Sequence, residues 1–312
     1  MSNELKIFAG NSNPGLAREI SETLNIPLGR MEVGRFPEGE IKVKIMENVR
    51  GTDVFLLQST CPPVNDNLME LLIMIDAFRR ASARRITAVV PFYGYARQDR
   101  KDQPRVPITA KLIANLLTQA GADRLLTMDL HAQQIQGFFD IPVDHLMAAP
   151  VIIDYFKKKA VKDLALATAD VGGIKLAWLY AEKMNTGLSI VDKKRSGDKE
   201  VKAMALIGDV MGKNVLIPDD MIATGGTLCE AAQFVKSNGA QSLYACCTHP
   251  VFSGEAVAKI KQAGFTEVVV TNTIPLPPEK MLSEIRVLSI ARLFGEAILR
   301  IHNETSVSSL LN

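Results

Sequence analysis

The chain is poor in several things. It has four cysteines, one tryptophan and 6% aromatic residues among its 312. No two cysteines form a C-x-x-C pair, and neighbours such as Cys246 and Cys247 in a strand face opposite sides. This argues against a zinc site or a disulfide framework and for reduced thiols. Charge of one sign is lacking too: 36 basic and 34 acidic side chains leave a formal +2. A general nucleic-acid or membrane-surface binder shows a basic face, so any anion site here must be local. No apolar run approaches the ~18 residues a membrane helix needs. The opening "MSNELKIFAG" holds no basic segment followed by an apolar stretch, so a cytoplasmic chain without a secretory leader is expected. Tandem repeats and low-complexity tracts are also missing.

What is present alternates. Apolar residues make up 47%, enough for a sizeable core, and the length suits roughly two domains. Short β-rich runs, "KIFAG", "DVFLLQS", "RITAVVPF", "DRLLTMD", "LALATAD", "GLSIVD", "NVLIP", "SLYACCTH" and "EVVVTN", are separated by helical patterns. The clearest helix starts near Asn65, a candidate N-cap, with Leu68, Leu71, Leu72, Ile75 and Phe78 on one stripe. A second stripe runs through Leu112, Ile113, Leu116 and Leu117, and others follow at 172–183, 226–238 and 254–263. Strands alternating with helices predict an α/β fold on parallel sheets, with ligands at the carboxyl ends of the strands. Pro142 and Pro150 in "FDIPVDHLMAAP" punctuate a domain break.

The stretch "VLIPDDMIATGGTL", Val215 to Leu228, carries the strongest chemistry. Gly225 and Gly226 allow a tight turn whose backbone N–H groups cradle an anion, and a helix starting near Thr227 adds its positive end. Thr224 and Thr227 add hydroxyls. Asp219 and Asp220 carry the wrong sign for phosphate. They suit the hydroxyls of a sugar phosphate, or a magnesium ion bridging sugar and phosphate oxygens. This segment resembles the phosphoribosyl-diphosphate motif shared by phosphoribosyltransferases and ribose-phosphate pyrophosphokinases.

Other segments separate those two classes. "PFYGYARQDRKDQPRVPITAKL" is a loop rich in Arg97, Arg100, Lys101 and Arg105, entered by Phe92, Tyr93 and Tyr95. Aromatics offer a base stacking and guanidinium groups meet phosphates. "MDLHAQQ" puts His131 at a strand end, "ALATADVGG" puts Asp170 at another, and "LSIVDKKRSGDKE" ends a strand at Asp192 and releases Lys193, Lys194 and Arg195 into a loop. The nearest approach to a P-loop, "GDVMGKN", is one residue short between its glycines and ends in Asn214.

Together, "FPEGE", "GYARQDRK", "DLHAQQIQGFFDIP", "DVGG", "DKKR" and "DDMIATGGT" stand in the order and spacing of ribose-phosphate pyrophosphokinases. The likeness covers essentially the whole chain, down to "SVSSLL", and is to the bacterial-type, phosphate-activated class. It implies an α/β fold of two phosphoribosyltransferase-like domains, each a mainly parallel sheet flanked by helices. They span 1–147 and 148–312, the last helix being free to pack back on the first domain. It implies a transferase of nucleotide, histidine and tryptophan biosynthesis that moves the diphosphoryl group of ATP to ribose 5-phosphate, with Mg2+.

By the same resemblance, ATP meets Arg97, Gln98 and Asp99. Phe36, Glu38, Gly39 and Glu40 form an adenine hairpin donated by a neighbouring subunit. Ribose 5-phosphate meets Asp219, Asp220, Ala223, Thr224, Gly225, Gly226, Thr227 and Arg195. His131 and Asp170 match metal positions, although magnesium prefers oxygen and His131 fits the triphosphate equally. Lys193 and Arg195 match a catalytic loop, with Gly197 allowing it to close. A homohexamer is implied, with phosphate and ADP as effectors at Arg50, Ser82 and Ser306–Ser308, and neither nucleic acid nor membrane as a partner.

Departures from the family pattern are Ala223 for a third aspartate, Pro218 for an apolar strand residue, Ala169 for a proline, and Glu38 for a shorter Asp or Asn. Ala223 favours the phosphoribosyltransferase alternative, which has no need of the 97–105 loop or of Lys193 and Arg195. A non-catalytic relative that binds sugar phosphates would have lost those charged residues.

Overall fold

The computed structural model describes residues 4–196 and 201–310, and the side chains at 193–203 lie outside the description. The chain begins β1 (Leu5–Ala9), α1 (Pro14–Leu24), then a hairpin, β2 (Met31–Arg35) and β3 (Ile41–Ile45). It continues β4 (Asp53–Leu57), α2 (Val64–Arg80), β5 (Arg85–Val90), α3 (Thr109–Ala120), β6 (Arg124–Met128) and β7 (Val143–Leu146). Next come α4 (Ala149–Lys159), β8 (Leu164–Ala167), α5 (Ile174–Met184), β9 (Gly187–Ser196), β10 (Val201–Ile207), β11 (Asn214–Ile222) and α6 (Gly226–Ser237). The last elements are β12 (Ser242–Pro250), α7 (Ala256–Ala263), β13 (Glu267–Thr271), β14 (Ile285–Leu288) and α8 (Ala291–His302).

The chain packs as two units. One holds the residues up to Met147, Thr273–Pro275 and those from Ser289 on; the other holds Ala148–Asn272 and Leu276–Leu288. In the first, five parallel strands run β1-β4-β5-β6-β7, and β2-β3 form a separate antiparallel pair. In the second, seven strands run β10-β9-β8-β11-β12-β13-β14, antiparallel only between β10 and β9. The apolar central strands β4 and β5 are buried almost throughout, as expected of sheets covered on both faces.

The first core gathers Phe8, Leu56, Leu71, Ile75 and Phe78, with Phe8 and Phe78 rings 4.6 Å apart. The second gathers Val215, Ile217, Val235, Phe252 and Val268. Burying each such side chain contributes about 1.5–3 kcal/mol. Helix α8 closes the first unit. Its Gly295 comes so near α1 that an added Cβ would stand 3.2 Å from Leu24. Below it, the fully buried Asp53 accepts Arg85 Nε at 2.8 Å and Arg85 Nη2 at 2.5 Å, and lies 2.7 Å from His302 Nδ1. Arg85 Nη2 also donates to the Ile301 carbonyl at 3.0 Å.

The structure corrects several sequence expectations. Helix α2 starts one residue before Asn65, with Pro63 at its cap, so Asn65 is inside the helix; its Oδ1 accepts the Tyr95 hydroxyl instead. On α3 the buried face is Ala110, Ile113, Ala114 and Leu117, and Leu112 and Leu116 of the expected stripe face outward. Strand β9 does not stop at Asp192. It runs on through Ser196, because β10 pairs with it residue by residue, Met204 opposite Lys193 and Lys202 opposite Arg195. All four cysteines are buried and free, and burial pushes the thiols of Cys61 and Cys229 up to about 11. Among the described residues no helix is long and apolar enough to cross a membrane.

Candidate active site

The cradle grows from the end of β11. The run "NVLIP" is only its first part: pairing with β12 carries it to Ile222, with Asp219 opposite Cys247 and Ile222 opposite Pro250. On the other side β8 stops pairing at Leu216. Pro218 therefore lies past the last β8 pair, where its missing N–H interrupts no bond to that strand. The two aspartates sit beyond it. Asp219 Oδ1 accepts the Asp220 N–H and Asp220 Oδ1 the Met221 N–H, both at 2.9 Å. Burial, then the charge of Asp220 and its hydrogen bond, push Asp219 well above the usual carboxylate range, and Asp170 adds charge of the same sign.

After Ala223 and Thr224 the backbone turns at Gly225, φ 73, which caps α6. A Cβ there would meet Ala256 only at 3.6 Å, so the left-handed conformation, rather than space, requires glycine. The loop after β12 braces the turn: Phe252 N–H donates to Ile222 O at 3.0 Å and Ser253 N–H to Ala223 O at 2.8 Å. The structure thus places Ala223, Thr224 and Gly225 in the turn and Gly226 and Thr227 in the first turn of the twelve-residue helix that follows. The N–H groups at such a helix start have no partner within the helix and are the kind that an anion can accept from. Asp170, past the end of β8, caps the short turn after it, its Oδ1 accepting the Gly173 N–H at 3.0 Å. Lys193 and Arg195 have their backbone in β9, next to β8; their side chains and Gly197 lie outside the described residues.

In the first unit the hairpin tip is exposed and shaped by backbone bonds. Phe36 N–H donates to Glu40 O at 2.8 Å and Gly39 N–H to Phe36 O at 2.9 Å, with Gly39 at φ 97. Phe36 is 42% exposed, with Lys42 Nζ 5.7 Å from its ring centre. Glu38 and Glu40 stand exposed beside it. The loop after β5 holds Arg97 and Gln98 exposed; Gln98 N–H donates to Tyr95 O at 2.9 Å and its side chain accepts the Thr109 hydroxyl. Asp99 Oδ2 accepts Gln134 Nε2 at 2.8 Å, which ties this loop to the segment that follows His131. His131 itself is exposed, three residues past β6.

Sequence reasoning missed the groups beneath these loops. Glu70, buried on α2, accepts Asn11 N at 2.7 Å, Asn11 Nδ2 at 3.0 Å and Gln58 Nε2 at 2.9 Å. Asn11 Nδ2 also reaches Val33 O of the hairpin at 3.3 Å. An added Cβ at Gly10 would lie 2.6 Å from Glu70 Oε1, so the first loop is glycine-dependent. The one signal in the sequence was an acid amid the apolar run "LMELL". His145, whose ring accepts a backbone bond from Leu130, gave none.

Metal ligation was expected at His131 and Asp170. Among the described residues no group of three or more His, Cys, Asp or Glu is gathered as a metal cage. Magnesium is commonly held by only one or two carboxylates plus substrate phosphates, and Asp170, Asp219 and Asp220 are each of the oxygen-donor type it takes.

Comparison with known proteins agrees along the whole length. Residues 5–121 match the N-terminal domain of ribose phosphate pyrophosphokinase, and residues 181–312 match the phosphoribosyl synthetase-associated domain. A ribose-phosphate pyrophosphokinase of Caldanaerobacter subterraneus subsp. tengcongensis is 56% identical over 310 residues, covering 99% of this chain and 98% of that protein. Its counterpart from Clostridium perfringens is 54% identical over 312 residues, covering 99% and 98%. The crystal structure of phosphoribosylpyrophosphate synthetase from Mycobacterium smegmatis matches with a TM-score of 0.92 at 41% identity, over 96% of this chain and 99% of that one. The cradle, the loops and these full-length likenesses agree: the chain belongs to the ribose-phosphate pyrophosphokinase family.

Proposed function

We propose that this chain joins ATP and ribose 5-phosphate into phosphoribosyl diphosphate and AMP. The anomeric hydroxyl attacks the β-phosphorus of ATP. The bond from that phosphorus to the α-phosphate oxygen breaks, AMP leaves, and the hydroxyl proton passes to solvent. The observation that supports the reading is the β11–α6 turn, where the first amides of α6 follow Asp219 and Asp220 by only a few residues. Amides face the 5-phosphate while the acids face the ribose hydroxyls. This resolves the sign conflict at the cradle's mouth.

Transfer of this kind needs in-line positioning and charge stabilisation rather than covalent chemistry. Lys193 is assigned the role of a point cation on the transferring group, and Arg195 that of a two-pronged grip on its oxygens. Arg97, Gln98, Asp99 and His131 are assigned to the triphosphate side of ATP. Phe36, Glu38, Gly39 and Glu40 are assigned to adenine, their exposure at the hairpin tip supporting contact with a neighbouring subunit. Magnesium is the proposed cofactor, with one or two of the carboxylates of Asp170, Asp219 and Asp220 as oxygen donors and His131 as a weaker ligand or a contact of the triphosphate; bound there it would neutralise phosphate charge. Ala223 offers no acid, so any charge on that side comes from its two neighbours in β11.

Phosphate and ADP are the proposed effectors. Arg50 and Ser82 lie on two connections, β3–β4 and α2–β5, that are joined where Gly51 N–H donates to Ser82 O at 2.9 Å. The tail is held by Arg300 Nη1 donating to Ser306 O at 2.8 Å. A homohexamer working in the cytoplasm is part of the same reading. The test is direct: with ATP, ribose 5-phosphate, magnesium and phosphate, AMP and phosphoribosyl diphosphate appear in equal amounts. A phosphoribosyltransferase would instead release diphosphate from phosphoribosyl diphosphate and a base, and silence in the first assay would remove the reading.

A further inference from the structure

We infer that His145 is a positioning residue for the nucleotide side of the site, acting as a neutral hydrogen-bond acceptor that fixes the loop bearing His131. Strand β6 ends at Met128 and the chain turns at once. Asp129 takes φ 37, a left-handed conformation that aspartate tolerates better than most residues and that turns the chain sharply. What holds it is β7, which pairs with β6 in parallel, His145 opposite Thr127 and Leu146 opposite Met128. Asp129 N–H donates to Leu146 O at 3.0 Å. Leu130 N–H donates to His145 Nε2 at 2.9 Å. One bond is backbone to backbone and survives any substitution. The other depends on a particular atom of a particular side chain, one residue before His131.

That bond fixes the chemistry of the ring. A nitrogen that accepts carries no proton, so the imidazole is neutral and its proton sits on Nδ1. The Gln136 amide nitrogen stands 3.5 Å from Nδ1 while donating to Gln133 O at 3.1 Å, so it is a neighbour of that proton and not its partner. Burial lowers the pKa of His145 and keeps the ring in the neutral form. On the other side of the turn Leu130 is 5% exposed, so its N–H has protein, rather than bulk water, around it. With the acceptor gone, that amide loses its partner and the turn loses one of its anchors. His131 then samples positions away from the triphosphate, although His145 never touches a ligand.

The inference rests on the reading that His131 meets the triphosphate, and the experiment keeps the two apart. His145→Phe keeps a ring and removes the acceptor; His145→Gln keeps an acceptor oxygen near the place of Nε2. The full enzyme is assayed with ATP, ribose 5-phosphate and magnesium, beside His131→Ala. His145→Phe is expected to raise the KM for ATP, or to lower kcat, by about tenfold, the worth of one hydrogen bond in a buried setting. The KM for ribose 5-phosphate should stay within about twofold, and His145→Gln should recover most of the loss. Equal losses for both substrates, or a His145→Gln variant no better than His145→Phe, would show a merely structural side chain and overturn the proposal.

Amide exchange at residues 129–132 decides the positioning claim by itself: faster in His145→Phe and normal in His145→Gln supports it, and no change overturns it. If His131→Ala leaves ATP kinetics untouched, it is the reading of His131 that fails. Should His145→Phe not fold, nitrogen NMR of the wild-type enzyme labelled at its four histidines gives the answer. The signal missing from His145→Gln must report a proton on Nδ1; a proton on Nε2 overturns the proposal.

Discussion

The ends of the two sheets solve opposite problems. At the first, exposed and mostly basic loops are tied down by hydrogen bonds: Asp99 to Gln134 at the surface, and Leu130 to His145 and Asn11 with Gln58 to Glu70 beneath it. At the second, acids are pressed together at a strand end, and Asp219 is driven well above its ordinary range by burial and by Asp220. The first arrangement is settled before any ligand arrives. The second is under electrostatic stress that hydroxyls or a cation relieve. A binding site can therefore be made ready either by satisfying its groups in advance or by leaving them in need.

Four changes sharpen or break that contrast. The largest effect is expected at Lys193, assigned to the transferring group rather than to affinity. Lys193→Ala should lower turnover by about a hundred- to a thousandfold, with ATP affinity nearly intact. Steady-state AMP release and direct nucleotide binding report the two quantities, and lost binding with a preserved rate would contradict the role.

Asp219→Asn comes next, and it should cut two ways. Activity should fall by about a hundredfold, while the ligand-free protein gains on the order of 1 kcal/mol, about 2–4 °C in Tm. The pH dependence has a definite sign. Asp219 has a raised folded pKa, so its contribution to stability is fully present below the unfolded value of about 3.9 and is lost as pH rises through the folded value. Asparagine cannot ionise. The gain in Tm over wild type should open as pH rises above about 4 and vanish below it. Thermal melts across pH without magnesium would show this, and a gain independent of pH would point to packing instead.

Glu70→Gln probes the settled side. A carboxylate that only accepts becomes an amide that must turn its own NH2 toward one of the three donors. The KM for ATP should rise about three- to tenfold through the hairpin, with the ribose 5-phosphate KM unchanged. The smallest effect belongs to Ala223→Asp. It adds an acid at a turn already ringed by Asp219 and Asp220, and activity should stay within about twofold or improve. Loss of ribose 5-phosphate binding in that variant would show that the cradle lies elsewhere.

Much of the plan was legible in the sequence, since it rests on local periodicity. Apolar runs marked most strands, and "DDMIATGGT" marked the cradle, because a turn followed by a helix is written in neighbouring residues. What escaped depends on partners far along the chain. β11 outruns "NVLIP" because β12 is there to pair with it, and β9 carries Lys193 on a strand because β10 folds back along it. Leu112 and Leu116 belong to a correct helix, but only packing decides which of its faces is inside. The roles of Glu70 and His145 escaped for the same reason: a buried polar side chain is understood only once its donors, here 59 and 15 residues away, are known.

Helix α8 has a consequence for how the chain comes into being. Its His302 and Ile301 meet Asp53 and Arg85, and its Gly295 lies against α1, yet it is synthesised only after the whole second unit. The opening portion cannot reach its final form until the second unit has been made, so it must wait, incompletely clothed, while those residues leave the ribosome. Scissors placed after Met147 would accordingly yield a sticky fragment, and grafting residues 289–310 onto it by a linker is what would let it stand alone.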